Sequence, residues 1–224
     1  MSRVRPRWKK AYRLINSCFP PISVFEDTLD ADDLELAFAI EGLTNDRLME
    51  ETGKLCRVLP SDRVSGPGST AVMAAFTHIG NASRFTDGSF GVYYCADSLQ
   101  AAIAETRFHQ ERFLAATREP SIEITMRTYI NEVLEAMVDI RDDEHLHNPS
   151  LATYGVSQAF AREQREAGEW GLLYRSVRFP GGECVAAFKP KAVSLPVQGP
   201  HLRYMWDGKA QAITAVVELN ELPL

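Results

Sequence analysis

The sequence predicts a mixed α+β domain, and three stretches carry that prediction. Residues 81–113 read as a loop, a short strand and a capped helix in succession. Residues 171–188 hold two β-rich runs joined through Pro180-Gly181-Gly182, a hairpin pattern. Residues 30–53 are acidic, with apolar positions at helical spacing. A chain of 224 residues suits one sizeable domain of this kind.

Five positives (Arg3, Arg5, Arg7, Lys9 and Lys10) make residues 1–10 a basic tail, expected to fray, and leave 11–224 as the folded domain. Residues 11–15 (AYRLI) read as a first strand, halted by Pro20-Pro21. In such a strand Tyr12 and Arg13 point to opposite faces, so only one faces a given cleft; alone, Arg13 reads as a surface arginine. Asp32 and Asp33 suit the first turn of a helix. Leu34, Ala37, Phe38 and Glu41 continue it to Gly42. A second helix from Thr44 or Asn45 carries Leu48 and Met49 to Gly53. Residues 55–59 (LCRVL) read as a strand limited by Pro60. The SGPGS loop at 65–69 reads as a connector, with Ser69 capping an apolar helix over 70–79. Glycines before a helix can cradle phosphate, but the spacing of a nucleotide-binding loop is missing. His78, a few residues before Arg84, is either a cleft-lining residue or a structural histidine, and the structural reading is the commoner one.

Residues 90–95 (FGVYYC) read as a strand after the Asp87-Gly88 turn. Asp97 suits an N-cap with Gln100 three residues on, so a helix begins at Ser98. Leu99, Ala102, Ile103, Thr106 and Phe113 share one side of it, and Glu105 lies at the border. On spacing alone Glu105 is a solvated rim residue. Its company opens a second reading: Arg84 precedes Tyr94 by ten residues and Tyr94 precedes Glu105 by eleven, so the three either converge across one groove or are unrelated polar residues of an ordinary strand–helix unit. Arginine offers a fork for phosphate, tyrosine a stacking ring, and glutamate a charge for a cationic transition state.

Residues 121–126 alternate as a strand, and 128–140 carry a further short element. His145 and His147 form an H-x-H, but two histidines are too few for zinc, and a loop is the better reading. Residues 154–167 predict an amphipathic helix with Val156, Phe160 and Gln164 on one row. Ser176, read within the first hairpin strand, shares a face with Tyr174 and Arg178. No G-x-S-x-G elbow surrounds it, so its use is as a hydrogen-bonding hydroxyl. Two last strands, over 202–206 and 212–219, flank the Asp207-Gly208 turn.

At 45% hydrophobic and 24% charged, the composition is that of an ordinary globular protein. The net charge is −6, so the basic first ten residues leave −11 on the remainder, which argues against gripping a nucleic-acid backbone. Cys18, Cys56, Cys95 and Cys184 form no C-x-x-C pair, which fits idle thiols in a reducing compartment. No apolar run follows the basic start, and none approaches a membrane span. A cytoplasmic location is expected.

Taken in order, Tyr12-Arg13, Arg84, Tyr94, Glu105 and Ser176 within YRSVRFPGGECVAAFKP resemble the RES domain, the toxin half of Xre–RES toxin–antitoxin pairs, over residues 11–188. The resemblance implies split antiparallel sheets like those of ADP-ribosyltransferases, plus N-terminal helices. It implies a cleft built from the first strand, the Arg84 loop, the Glu105 helix and the Ser176 strand. NAD is the implied substrate, with no metal. Glu105, Tyr94 and Arg84 are the implied catalytic residues; Arg13, Tyr12, Arg84, Tyr94 and Ser176 are the implied NAD contacts. The acceptor of ADP-ribose stays open between water, phosphate and a protein side chain. The implied partner is an Xre-type antitoxin covering the active site. The competing expectation is a catalytically inactive binding module that sequesters a partner protein.

Overall fold

The computed structural model describes residues 1–17 and 55–219. The two helices expected between residues 30 and 53 lie outside this range. Among the described residues, nine strands form one sheet: β1 (Arg3–Val4), β2 (Ala11–Asn16), β3 (Tyr93–Ala96), β4 (Ile122–Asn131), β5 (Met137–Asp139), β6 (Gly171–Arg175), β7 (Glu183–Ala187), β8 (Val197–Asp207) and β9 (Ala212–Leu219). Their order is β1-β5-β6-β7-β3-β2-β4-β8-β9. Neighbours are antiparallel except β5 and β6. Helices α1 (Ser69–Thr77), α2 (Leu99–Thr117) and α3 (Tyr154–Glu166) complete the mixed α+β architecture. No helix among the described residues is long and apolar enough to cross a membrane.

The two-residue period sorts the central strands onto two cores. Tyr93, Cys95, Leu173, Val185 and Ala187 face one side, against Val72, Met73 and Phe76 of α1. Ala96, Leu172, Tyr174, Cys184 and Ala186 face the other, with Ala101, Ala102 and Leu114 of α2 and Ala161 of α3. Both faces are covered, so these strands read in sequence as unbroken apolar runs rather than alternating ones.

One feature of the register positions the site. β3 pairs with β7 along its whole length, and β2 pairs with β4 from Ala11↔Asn131 to Asn16↔Met126. Between β2 and β3 only Tyr12↔Ala96 is paired. The sheet is therefore two halves, antiparallel but for the β5–β6 pair, joined at one point and splayed beyond it.

Several local expectations are corrected. The run at 55–59 is no strand but a 3₁₀ turn, Leu55–Arg57. Leu55 and Val58 are both buried three residues apart, the 3₁₀ period, and Pro60 opens a second such turn. Helix α1 begins at Ser69, and the cap position is Gly68 at φ +86, where a Cβ would lie 2.3 Å from the Pro196 carbonyl oxygen. Ser98, not Asp97, caps α2, its hydroxyl accepting from the Ala101 N–H at 3.3 Å. Asp97 instead accepts from the Glu183 N–H at 2.9 Å, tying the helix start to β7. Val156 is 58% exposed; Tyr154, Ser157 and Ala161 form the buried row of α3. The basic start is tied down. Arg3 and Val4 pair with β5, Arg3 binds Glu169, and the Trp8 indole N–H donates to Glu183 at 3.0 Å.

Candidate active site

Where β2 and β3 part, a cavity of about 270 Å³ opens, lined by Tyr12, Arg13, Arg84, Tyr94, Glu105 and His109 among others. That is just below the roughly 300–1,000 Å³ usual for small-molecule sites. A wider groove of about 650 Å³ lies beside Arg57, Arg165 and Lys189, but none of Arg13, Arg84, Tyr94 or Glu105 borders it. Alternation does send Tyr12 and Arg13 to opposite faces. Both nevertheless border the cavity, because it lies in the seam of the sheet rather than on one face.

Helix α2 carries Glu105 to the cavity wall. Ser176 meets it there from 71 residues away, donating from Oγ to Glu105 Oε1 at 2.6 Å. The same Oγ accepts from the backbone N–H of Phe179 at 2.9 Å and of Arg178 at 3.2 Å. A hydroxyl has one proton and two lone pairs, so Ser176 is fully engaged. β6 ends at Arg175, and Ser176 opens the turn back to β7, closed by its own N–H on the Gly182 carbonyl at 2.8 Å. The pleat therefore does not place Ser176 beside Tyr174 and Arg178, as a strand would have required. Arg178 turns outward over the Phe108 ring, 3.5 Å from its centroid.

Arg84 sits in the loop before β3 and is 6% exposed. Its guanidinium lies 4.6 Å from the centroid of the Tyr154 ring. Nη1 donates to the Asn148 carbonyl at 2.9 Å and the Leu146 carbonyl at 3.3 Å, and Nη2 donates to the Tyr154 hydroxyl at 3.4 Å. Arg13 lies over the Tyr93 ring at 4.5 Å and donates to the Tyr94 carbonyl at 3.2 Å. Its Nε is buried without a hydrogen-bond partner. Among the described residues, neither arginine pairs with a carboxylate. Two cations held by carbonyls and rings at a cavity wall favour an anion there.

Tyr94 ties the site together through its hydroxyl, which lies 2.7 Å from Ser83 Oγ and accepts from the Phe85 N–H at 3.1 Å. It thereby pins the residues on both sides of Arg84. Burial pushes its phenol up to about 12. Burial also raises the Tyr174 phenol and the Cys184 thiol, both well above their ordinary values. Cys184 is thus an inert thiol rather than a nucleophile.

Sequence reasoning missed His109, although its place one helical turn after Glu105 was a usable signal. It also missed Tyr154 and Tyr174, whose positions in the cavity depend on distant packing. His78 stands at the end of α1, with Nδ1 3.2 Å from Thr77 Oγ1, and is not among the lining residues. His147 belongs to a loop: Nδ1 meets the Asp143 carbonyl at 2.6 Å, and Nε2 accepts from the Arg175 N–H at 3.1 Å. Among the described residues no cluster of three potential metal ligands forms.

Comparison with known proteins adds three findings. An uncharacterized protein, y4oC, of Sinorhizobium fredii (strain NBRC 101917 / NGR234) is 29% identical over 203 residues, which are 88% of this chain and 83% of that protein. The crystal structure of the M. tuberculosis MbcT–MbcA toxin–antitoxin complex aligns with a TM-score of 0.44 and 11% identity, over 93% of this chain and 89% of that one. The family model described as RES domain matches residues 57–207, well over half of the chain and all of the cavity wall except β2. The chain belongs to the RES-domain family.

Proposed function

We propose that this protein is a toxin that breaks the nicotinamide–ribose bond of NAD and passes the ADP-ribosyl group to an acceptor. One observation supports this above the rest: a carboxylate fixed by a hydroxyl stands in the same small cavity as two arginines that have no described carboxylate partner. The bond cleaves through a cationic, oxocarbenium-like state, as glycosidic bonds do. The Glu105 carboxylate stabilises that cation. Arg84 and Arg13 hold the pyrophosphate. The rings of Tyr94 and Tyr12 flank the nicotinamide-side half of the substrate. Ser176, whose hydroxyl is fully engaged within the protein, holds the Glu105 carboxylate in position rather than touching the ribose.

NAD cleavage in a cytoplasm halts growth, so the protein is made beside an inhibitory partner, an Xre-type antitoxin that covers the cavity. The test is direct. Purified protein mixed with NAD releases nicotinamide, and Glu105→Gln, nearly isosteric but uncharged, lowers that rate by ~10²–10³. Near-wild-type turnover in folded Glu105→Gln removes this mechanism. No nicotinamide from the wild type leaves the module that only binds a partner.

A further inference from the structure

Cleavage alone does not complete the reaction. The glycosidic electron pair leaves with nicotinamide, which departs as a neutral base because the bound pyridinium already carries the positive charge. The acceptor then joins the ribose carbon. When the acceptor is a neutral hydroxyl, its proton must go to a base at that moment. Glu105 is poorly suited to take it, because a proton on that carboxylate cancels the charge that stabilises the cation. One of its oxygens is also held by Ser176 at 2.6 Å.

His109 stands where such a base is needed. It lines the same cavity as Glu105 and follows it by four residues on α2, which sets their Cβ atoms about 5–6 Å apart. The ring packs edge-on to Phe108 at 5.3 Å, and no described residue hydrogen-bonds either ring nitrogen. The charged groups around it are Glu105 and Arg112 on its own helix, Arg178 from the turn after β6, Arg84 from the loop before β3 and Arg13 across the seam. The phenols of Tyr12, Tyr94, Tyr154 and Tyr174 and the Cys184 thiol line the same cavity. Burial, with Arg112, Arg178 and Arg84 nearby, holds the imidazole below its ordinary value. It therefore presents a lone pair at neutral pH.

We propose that His109 is the general base of this reaction, taking the proton from a neutral hydroxyl acceptor, water or a side-chain hydroxyl, as its oxygen bonds to the ribose carbon. The inference rests on the NAD-cleaving reading above. The proton then passes from the imidazolium to solvent, and the balance is NAD plus hydroxyl giving the ADP-ribosyl product, nicotinamide and one proton.

The experiment follows nicotinamide release from NAD in phosphate-free buffer between pH 5 and 8, for wild type, His109→Gln, His109→Asn and Glu105→Gln, with and without azide. Folding of each is checked by circular dichroism. The wild-type rate should fall on the acid side, below the ordinary imidazole range near 6.5. Both His109 variants should lose that acid limb and ~10²-fold or more in rate. Azide, an anionic nucleophile with no proton to lose, should restore the His109 variants and form an azido product, but should not restore Glu105→Gln. Free ADP-ribose identifies water as the acceptor; label retained on protein identifies a side-chain hydroxyl. A folded His109 variant with wild-type rate and acid limb, or one that azide fails to rescue, overturns the base while leaving the NAD reading intact. A wild type that releases no nicotinamide overturns both.

Discussion

Ser176 has one proton and two lone pairs, and all three are engaged between Glu105 and the turn that follows β6. Ser176→Ala therefore frees the carboxylate to rotate. A hydrogen bond to a charged group contributes about 1.5–3 kcal/mol, so turnover should fall roughly ten- to a hundredfold with KM nearly unchanged. A rise in KM at constant kcat would instead make Ser176 a substrate contact. At Arg84 the planar fork spans two carbonyls and a phenol, a geometry that an ammonium cannot reproduce. Arg84→Lys should weaken NAD binding and lower the unfolding midpoint. Arg162→Lys should change neither, since its pair with Asp87 is half-exposed and solvent-screened surface pairs add little to stability. Calorimetric titration with NAD and thermal melts of the two variants check this. Tyr94→Phe leaves the Phe85 N–H without its acceptor, so it should loosen the Arg84 loop although the ring survives. The sequence marked Arg84, Tyr94 and Glu105 by interval. It did not reveal that the Tyr94 hydroxyl holds the Arg84 loop, because that bond depends on a bend between residues 83 and 94.

Among the elements, α2 aims Glu105, and its direction is set at the first turn. Ser98→Ala removes the side-chain acceptor of the Ala101 N–H and should cost about 0.5–2 kcal/mol in denaturant unfolding. The hairpin is set differently. Arg141 donates to Asp139 of β5 from Nε at 2.9 Å and Nη2 at 2.7 Å, and to Glu183 of β7 from Nη1 at 2.6 Å. This ties the strands on either side of β6. The Arg141 guanidinium is the main cause holding the Asp139 carboxyl below its ordinary 3.8. A carboxylate with a depressed folded-state value stabilises the fold above its unfolded value, and that stability fades as pH falls through the folded one. Asp139→Asn should therefore be less stable than wild type at pH 7, and the gap should begin to shrink only below about pH 4 and close once the pH has passed below the folded value. Urea unfolding at pH 7 and at points down through the acid range measures it. A gap that persists in acid would assign the loss to packing instead. Cap and hairpin were legible because each is written in a few adjacent residues; the one-residue shift from Asp97 to Ser98 arose because Asp97 caps β7 instead.

For the molecule as a whole, the seam between the two halves of the sheet makes the site. Expressed alone in a bacterium, the wild type should arrest growth and deplete NAD, and Glu105→Gln should do neither. Normal growth and NAD alongside soluble wild-type protein would remove the toxin reading. The sequence by itself determined the mixed α+β class, the strand–helix unit around Glu105, the hairpin at 171–188 and the residues worth suspecting. The first three follow from periodicity, caps and turn chemistry, which act over one or two turns of chain; the suspected residues came from the resemblance to the RES domain. Only the tertiary structure decided that Ser176 meets Glu105 from 71 residues away, that Arg84 is held by Asn148 from 64 away, and that His109 shares their cavity. It also decided that Tyr12 and Arg13, on opposite faces of one strand, border one site. A period states which face a residue takes, not which strand lies beside it. That was settled by the single Tyr12↔Ala96 pair, beyond which β2 follows β4 and β3 follows β7.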